Sequence, residues 1–428
     1  MKPFLTLQTV EQVLEHLRSF PIVGEETLPL AEALGRRLAE PFAATEDLPG
    51  FDRSTVDGFA VAARDVFGAQ EGSPALIKVV GESRMGETPD FSLNPGEGAR
   101  ISTGGMLPTG ADCAVMVEYS RPGAGAYIEL TRSQAPGDNV ILRGDDAARG
   151  DVLLPAGRRL RPQDIGLLAA FGAAEASVRR RPRVAILSTG DEVVPLTQTP
   201  PPGKIRDVNA HSLAALCREA GALPVMAGLV RDDFGELSAT LARLARDNDV
   251  VAVSGGSSAG MRDHTVEAFG ALPGGKVLVH GVALSPGKPL IVAQSESEGH
   301  DGTGTRKVCL LGLPGHVASA LISARVFLAP LLQHLQGQAD PEILPQVAAR
   351  LTRPVASAPG RRDYLRVRLV PLEAPLDAPE GGIRFAAEPI LGASGLVSDM
   401  ARADGLLVCP ESCEGYDAGT VVSVELLR

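Results

Sequence analysis

The residues best suited to chemistry are 254–263, S-G-G-S-S-A-G-M-R-D, which follow the apolar run 250–253. A Gly-rich turn that opens a helix binds anions. Its glycines let the backbone approach, its N–H groups point outward with the helix dipole behind them, and Asp263 adds a hard oxygen for a divalent cation. Three turns of similar build, S-T-G-D-E at 188–192, S-P-G-K-P at 285–289 and L-P-G-H at 313–316, each follow an apolar run that reads as a strand. Around them stand Asp191, Glu192, Asp207, Asp232, Asp233 and Asp263. Any one of these acids fits a helix cap or a solvated loop. Together, beside anion-binding turns, they fit metal-assisted chemistry on a phosphorylated substrate, with Mg²⁺ bridging carboxylate and phosphate oxygens.

Other motifs carry less. Residues 256–260 match G-x-S-x-G, which makes Ser258 an alternative nucleophile with His264, His280 or His316 downstream, as in a serine hydrolase. The Gly-Gly-Ser before it is a loose turn, and no acid–histidine pair is singled out by spacing. Residues 270–276 match G-x-x-x-x-G-K, but Val277 stands where a phosphate loop has Ser or Thr, and a strand follows instead of preceding. Cys409 and Cys413 lack a second ligand pair for zinc, and five cysteines scattered over 428 residues read as reduced thiols.

The elements that must position these turns follow from periodicity. From 183 to about 332, short apolar runs at 184–187, 224–230, 250–253, 277–284, 290–293 and 308–311 alternate with helical patterns at 210–220, 235–246 and 317–332, a doubly wound α/β signal. In such sheets ligands bind beyond the carboxyl ends of the strands, where the special turns fall. Residues 45–150, broken by Gly and Pro, read as a β-rich domain, and the tail after 345 as a small β domain. Val10, Val13, Leu14 and Leu17 predict one helix, and Leu30, Leu34 and Leu38 a second. R-R-R-P at 179–182 reads as a solvated boundary. The chain holds 48 Gly and 33 Pro, so many turns are expected, within the range of folded proteins. A net charge of −11, 4% aromatics and no Trp argue against a nucleic-acid partner. The absence of a signal-like N-terminus or a long apolar run argues against a membrane and for the cytoplasm.

F-D-R-S-T-V-D-G-F-A at 51–60, R-I-S-T-G at 100–104, P-T-G-A-D-C-A-V-M-V-E at 108–118, R-G-D-D at 143–146, I-R-D-V-N at 205–209, R-D-D at 231–233, the turns at 188–192, 254–263 and 285–289 and G-A-S-G at 392–395 together resemble the molybdopterin molybdenumtransferase family. That family includes the E domain of the scaffold protein gephyrin. The resemblance implies a multidomain α/β plus β fold: a central molybdopterin-binding α/β domain (1–24 and 179–335), a linking domain (25–43 and 151–178), a β-rich domain (44–150) and a C-terminal β-barrel-like domain (344–428). It implies conversion of adenylylated molybdopterin and molybdate into molybdenum cofactor with release of AMP, in a step dependent on Mg²⁺ or another divalent cation. It further implies a homodimer, fed by a molybdopterin adenylyltransferase and able to meet maturation factors of molybdenum enzymes. Asp57, Asp146, Glu192, Asp232 and Asp263 then serve catalysis, with Glu192, Asp232 and Asp263 on the metal. Thr103, Arg143, Ser254, Gly255, Gly256, Ser258, Gly260, Ser285, Lys288 and Pro314 bind substrate. Asp57, Thr103, Arg143 and Asp146 would face the α/β rim of the partner subunit. The family turns read K-P-G-K-P and L-P-G-N-P, whereas this chain has Ser285, His316 and Val317 at the departing positions. One oxyanion-facing cation is therefore missing, which leaves room for a tungstate-specialised paralogue or a weakly active member; a scaffold-only member is a third reading, against which the near-complete carboxylate set argues.

Overall fold

The structure, a computed structural model, describes residues 7–255, 259–299, 304–339, 344–376 and 382–427, and of 259–263 and 374–376 the backbone alone. The chain forms two compact units, one of residues up to Ala39 with Gly157–Leu160 and Ala176–Arg428, the other of Glu40–Ala156 and Arg161–Glu175. The segments expected to form a linking domain are divided between them.

In the second unit, the Gly- and Pro-broken runs form strands β1 (Gly58–Val61), β2 (Ala75–Ser83), β3 (Glu97–Ile101), β4 (Cys113–Met116), β5 (Ser120–Pro122) and β6 (Tyr127–Leu130) in the order β4-β1-β3-β2-β6-β5. Strand β1 is buried throughout. Phe59 and Val61 pack with Ile77, Val115 and Leu130 on one face, and Ala60 with Ile101 and Leu107 on the other. Gly58 is required there, since a Cβ would lie 1.9 Å from the Val115 carbonyl oxygen.

The first unit is built on β7 (Arg183–Thr189), β8 (Leu223–Val230), β9 (Val250–Ser254), β10 (Lys276–His280), β12 (Ile291–Glu298) and β13 (Thr305–Leu313), ordered β8-β7-β9-β13-β12-β10; β11 (Leu284–Ser285) leaves this sheet. Strands β8, β7, β9 and β13 are parallel, and β12 runs antiparallel to both neighbours. Alternate residues of the apolar runs feed opposite cores, as the pleat dictates. Val184, Ile186, Val250 and Ala252 pack with Leu213 of α2 (Asn209–Glu219) and with Phe327 and Leu331. Ala185, Leu187, Val251 and Val253 pack with Leu241 of α3 (Phe234–Asp247) and Phe269 of α4 (Ala259–Ala271). Helices on both faces make the sheet doubly wound. Helix α1 (Val10–Arg18) forms where its spacing predicts, its start closed by a Thr9–Gln12 capping box.

Two readings are corrected. The second N-terminal helix does not form. Only a 3₁₀ turn spans Leu30–Glu32, Gly35 turns the chain at φ 75°, Leu38 bridges Val178, and Leu34 is 57% exposed. The expected strand 277–284 is interrupted after His280, so that Leu284 and Ser285 can pair elsewhere. Residues 317–335, α5 (Val317–Ser323), a π-helical turn (Ala324–Leu328) and α6 (Ala329–Leu335), are long and apolar enough to cross a membrane by length and composition, but 56% of the apolar window is buried and the run serves as a core element.

The C-terminal strands β14 (Gln346–Leu351), β15 (Arg362–Leu376), β16 (Ile383–Pro389), β17 (Gly405–Cys409) and β18 (Val421–Leu426) close into a barrel through β15-β16-β14-β18-β17 and back to β15. Ala349, Val367, Leu407 and Val424 fill it. Strand β11 joins β15 in parallel, Leu284 opposite Arg362 and Ser285 opposite Asp363.

Candidate active site

Strands β7, β9 and β13 end in register, Ser188 beside Ser254 and Ser254 beside Leu313, so three of the special turns leave from neighbouring strand ends. S-P-G-K-P reaches the same edge differently. It leads into antiparallel β12, whose first residue Ile291 pairs with Gly312 near the end of β13. Direction of a strand leaves no trace in apolar periodicity, so this route was not legible in sequence.

A cleft of about 240 Å³ opens at this rim, lined by Ser188, Thr189, Glu192, Asn209, Gly255 and His316 among others. Gly255, at φ 140°, crosses so close to β7 that a Cβ would stand 2.2 Å from the Thr189 carbonyl oxygen. The Asn209 side chain, at the first position of α2, donates from Nδ2 to Ser254 Oγ and to Gly315 O, both at 2.8 Å, and so ties two of the turns together. Its Oδ1, Ser188 Oγ and Thr189 Oγ1 are buried without a hydrogen-bond partner. Buried polar atoms are nearly always satisfied, so three orphans lining one cleft mark a place for a ligand. In the sequence Asn209 stands out only as part of I-R-D-V-N.

The acids divide by role. Asp207 Oδ1 accepts from Ala210 N at 3.0 Å and Asp233 Oδ1 from Glu236 N at 2.8 Å, so both cap helices. Asp232 is half-buried, and its Oδ1 has no partner. Burial first, then the negative charges of Asp191 and Glu192, push its carboxyl above the usual range. Glu192 is exposed, with its carboxylate against Gly190, where a Cβ would meet Oε2 at 2.8 Å. Among the described residues no three ligand-type side chains stand together as a preformed metal site. The predicted third ligand, Asp263, lies in α4 where the backbone alone is described, as does Gly260; Gly256 and Ser258 lie outside the described residues. The charge pattern nevertheless suits a divalent cation, which would relieve Asp232 of its like-charged neighbours and satisfy its orphan oxygen.

Lys288 is exposed, its ammonium without a partner among the described residues, while Ser285 is half-buried and Pro314 buried. The departing residue His316 is held by the barrel unit's loop: Nδ1 lies 2.9 Å from Ser394 Oγ, and Ala318 N donates to Ser394 O at 2.9 Å. G-A-S-G thus packs on L-P-G-H. Nearby Arg366 is buried, donates from Nη2 to Gly392 O at 2.6 Å and sets Nη1 3.9 Å from Asp399 Oδ2, an ion pair that sequence reading passed over.

In the second unit, the motif segments also converge. Asp57 Oδ1 accepts from Thr103 N at 2.7 Å and from Thr103 Oγ1 at 3.2 Å. Ser54 exchanges backbone hydrogen bonds with Gly104 and Gly105, and pairs with Val140. Arg143 is anchored by its N to Asp52 Oδ1 at 2.8 Å and by Nε to Asp47 Oδ2 at 2.7 Å. The backbone N–H of Arg149, then Arg143, hold the Asp47 carboxyl below the usual range. Asp57, Thr103, Arg143 and Asp146 are all exposed.

The basic cluster at 179–182 is only partly solvated. Arg180 makes a two-point ion pair with Asp249, at 2.8 and 2.7 Å, and Arg179 Nη2 donates to Ala39 O at 2.9 Å; Arg181 alone of the three arginines is exposed. A half-buried planar guanidinium ahead of a strand is worth more paired than solvated.

Three family models cover most of the chain: the MoeA N-terminal region (domain I and II) over residues 8–172, a probable molybdopterin binding domain over 185–334 and the MoeA C-terminal region (domain IV) over 348–427. A molybdopterin molybdenumtransferase of Nostoc sp. is 38% identical over 314 residues, 73% of this chain and 70% of that protein. One from Bacillus subtilis is 31% identical over 424 residues, 98% of this chain and 94% of that protein. The crystal structure of a molybdopterin biosynthesis moeA protein from Pyrococcus horikoshii OT3 superposes with a TM-score of 0.80 at 28% identity, covering 99% of this chain and 100% of that one. Matching along almost its entire length, in sequence and in fold, the chain belongs to the MoeA family of molybdopterin molybdenumtransferases and acts in molybdenum cofactor biosynthesis.

Proposed function

We propose that this chain inserts molybdate into adenylylated molybdopterin and releases AMP, using the strand-end cleft of its α/β unit. The observation that carries this reading is the group of orphaned buried atoms, Ser188 Oγ, Thr189 Oγ1 and Asn209 Oδ1 in the cleft, with Asp232 Oδ1 as a fourth. The Ser188 and Thr189 hydroxyls can donate to an oxyanion without reorganisation, while Asn209 Oδ1 and Asp232 Oδ1, which only accept, suit a substrate donor and a cation. Lys288, exposed and unpaired among the described residues, offsets repulsion between the oxyanion and the pyrophosphate. Glu192, Asp232 and Asp263 would hold Mg²⁺, which when bound polarises phosphate oxygens. Water or the bound oxyanion would attack the adenylyl phosphorus, breaking the P–O bond to the pterin's phosphate and giving AMP, and the two dithiolene thiols would replace oxo ligands of molybdate, which leave as water. Asp57, Thr103, Arg143 and Asp146 complete the site from the second subunit of a homodimer. These four lie in the second compact unit and the remaining candidate residues in the first, which fits a site assembled from two parts.

In vitro conversion of adenylylated molybdopterin tests this, with AMP and active cofactor as readouts. Release of AMP coupled to molybdate-dependent cofactor is expected; conversion with tungstate alone would instead favour the specialised paralogue that Ser285 and His316 leave room for. No turnover with either oxyanion would overturn the reading.

A further inference from the structure

The barrel carries a second cleft, of about 790 Å³, that shares no lining residue with the strand-end cleft. Its cationic wall is Arg353, Arg368 and Arg402, set against one acid, Glu388, and an apolar side of Pro389, Ile390 and Leu391. Arg368 and Glu388 face each other across β15 and β16, and Arg402 follows α7 (Val397–Ala401). Arg353 is fixed by donating from Nη2 to the Pro389 carbonyl oxygen. Arg368 and Arg402 are exposed and have no ion pair or side-chain hydrogen bond among the described residues. In a chain of net charge −11, three arginines converging on one acid are an unusual local reversal of field. Guanidinium groups grip oxyanions through paired N–H donors and stack on planar rings. The volume is that of a small-molecule pocket, far above what one inorganic phosphate fills.

We propose that this cleft binds a phosphorylated small molecule with a planar body, Arg368 and Arg402 taking the phosphate and the 389–391 wall taking the ring. The inference stands apart from the reading of the strand-end cleft. Calorimetric titration of the full-length chain with guanosine 5′-monophosphate, guanosine and inorganic phosphate tests it. The nucleotide should bind saturably, and both guanosine and inorganic phosphate at least about tenfold more weakly. The double variant Arg368→Ala/Arg402→Ala should weaken nucleotide binding at least about tenfold, with Arg368→Lys/Arg402→Lys intermediate and circular dichroism unchanged, whereas Lys288→Ala should leave it intact. Absence of saturable binding, undiminished binding in the double alanine variant, or loss in Lys288→Ala would each overturn the proposal. Inorganic phosphate binding as tightly as the nucleotide would overturn the part played by the ring.

Discussion

Asn209 and Ser254, 45 residues apart, meet at 2.8 Å where α2 begins and β9 ends, and the same amide reaches Gly315 in the turn beyond β13. One side chain therefore fixes the spacing of two turns that line the cleft. Replacing it with Ala removes both bonds and leaves Ser254 Oγ unpaired. We expect a loss of ~1–3 kcal/mol in stability, seen as a melting point lower by a few degrees. AMP release should fall at least about tenfold on the same loss of positioning. A variant that melts lower but turns over at the parent's rate would reduce Asn209 to a structural staple.

Asp232 sits in the field of Asp191 and Glu192 with an orphan oxygen. Asp232→Asn removes a half-buried charge disfavoured by its like-charged neighbours, so in metal-free buffer it should melt at or above the parent's temperature. Added Mg²⁺ should raise the parent's melting temperature and leave the variant's unmoved. Equal Mg²⁺ responses in both proteins would remove Asp232 from the metal.

Asp57 and Thr103 are joined in one unit, while Asp232 belongs to the other. If the site is completed between subunits, inactive Asp57→Ala and inactive Asp232→Ala chains should regain partial activity when mixed. Subunit exchange verified by mass, with no activity recovered, argues that both serve the same chain's site.

With Ser285 in place of a lysine, Lys288 is the principal side-chain cation of its turn. A charged contact to an oxyanion is worth ~1.5–3 kcal/mol, or roughly ten- to a hundredfold in affinity. Lys288→Ala should raise the molybdate needed for half-maximal cofactor formation at least about tenfold, and Ser285→Lys should lower it or leave it unchanged. Identical titration curves for the parent and Lys288→Ala, with both molybdate and tungstate, would show that the ammonium stays in water.

Burial pushes the thiols of Cys113 and Cys217 up to about 12 and that of Cys409 up to about 11, and raises Cys309 further. A raised pKa leaves a thiol protonated at pH 8, with a thiolate fraction of about one in a thousand or less, and only the thiolate reacts. Cys413 is the half-exposed one. Iodoacetamide at pH 8 should label it first, the other four reacting only after denaturant. Early labelling of Cys113 or Cys217 would contradict their burial.

Much of this was legible in sequence because it depends on local repetition. The runs 184–187 and 250–253 declare strands buried on both faces, and the turns after them declare the rim, since glycine spacing and strand ends are near in sequence. What escaped depends on partners far away. Asn209 owes its place to Ser254 and Gly315, Arg180 to Asp249, and Arg366 to a loop 26 residues on. Leu30, Leu34 and Leu38 have helical spacing, but Gly35 and the Leu38–Val178 bridge outweigh it. Spacing cannot register a competitor 140 residues away.

The two-residue strand β11 makes the S-P-G-K-P turn a joint held from both sides, by β12 of the α/β sheet and by β15 of the barrel. The barrel is thus no detachable module. A chimera that grafts another member's barrel onto this α/β unit would have to carry matching residues at 362 and 363, or Lys288, three residues beyond β11, would lose its fixed bearing. Truncation before 344 should cost the oxyanion turn its geometry even though every residue of that turn is still present.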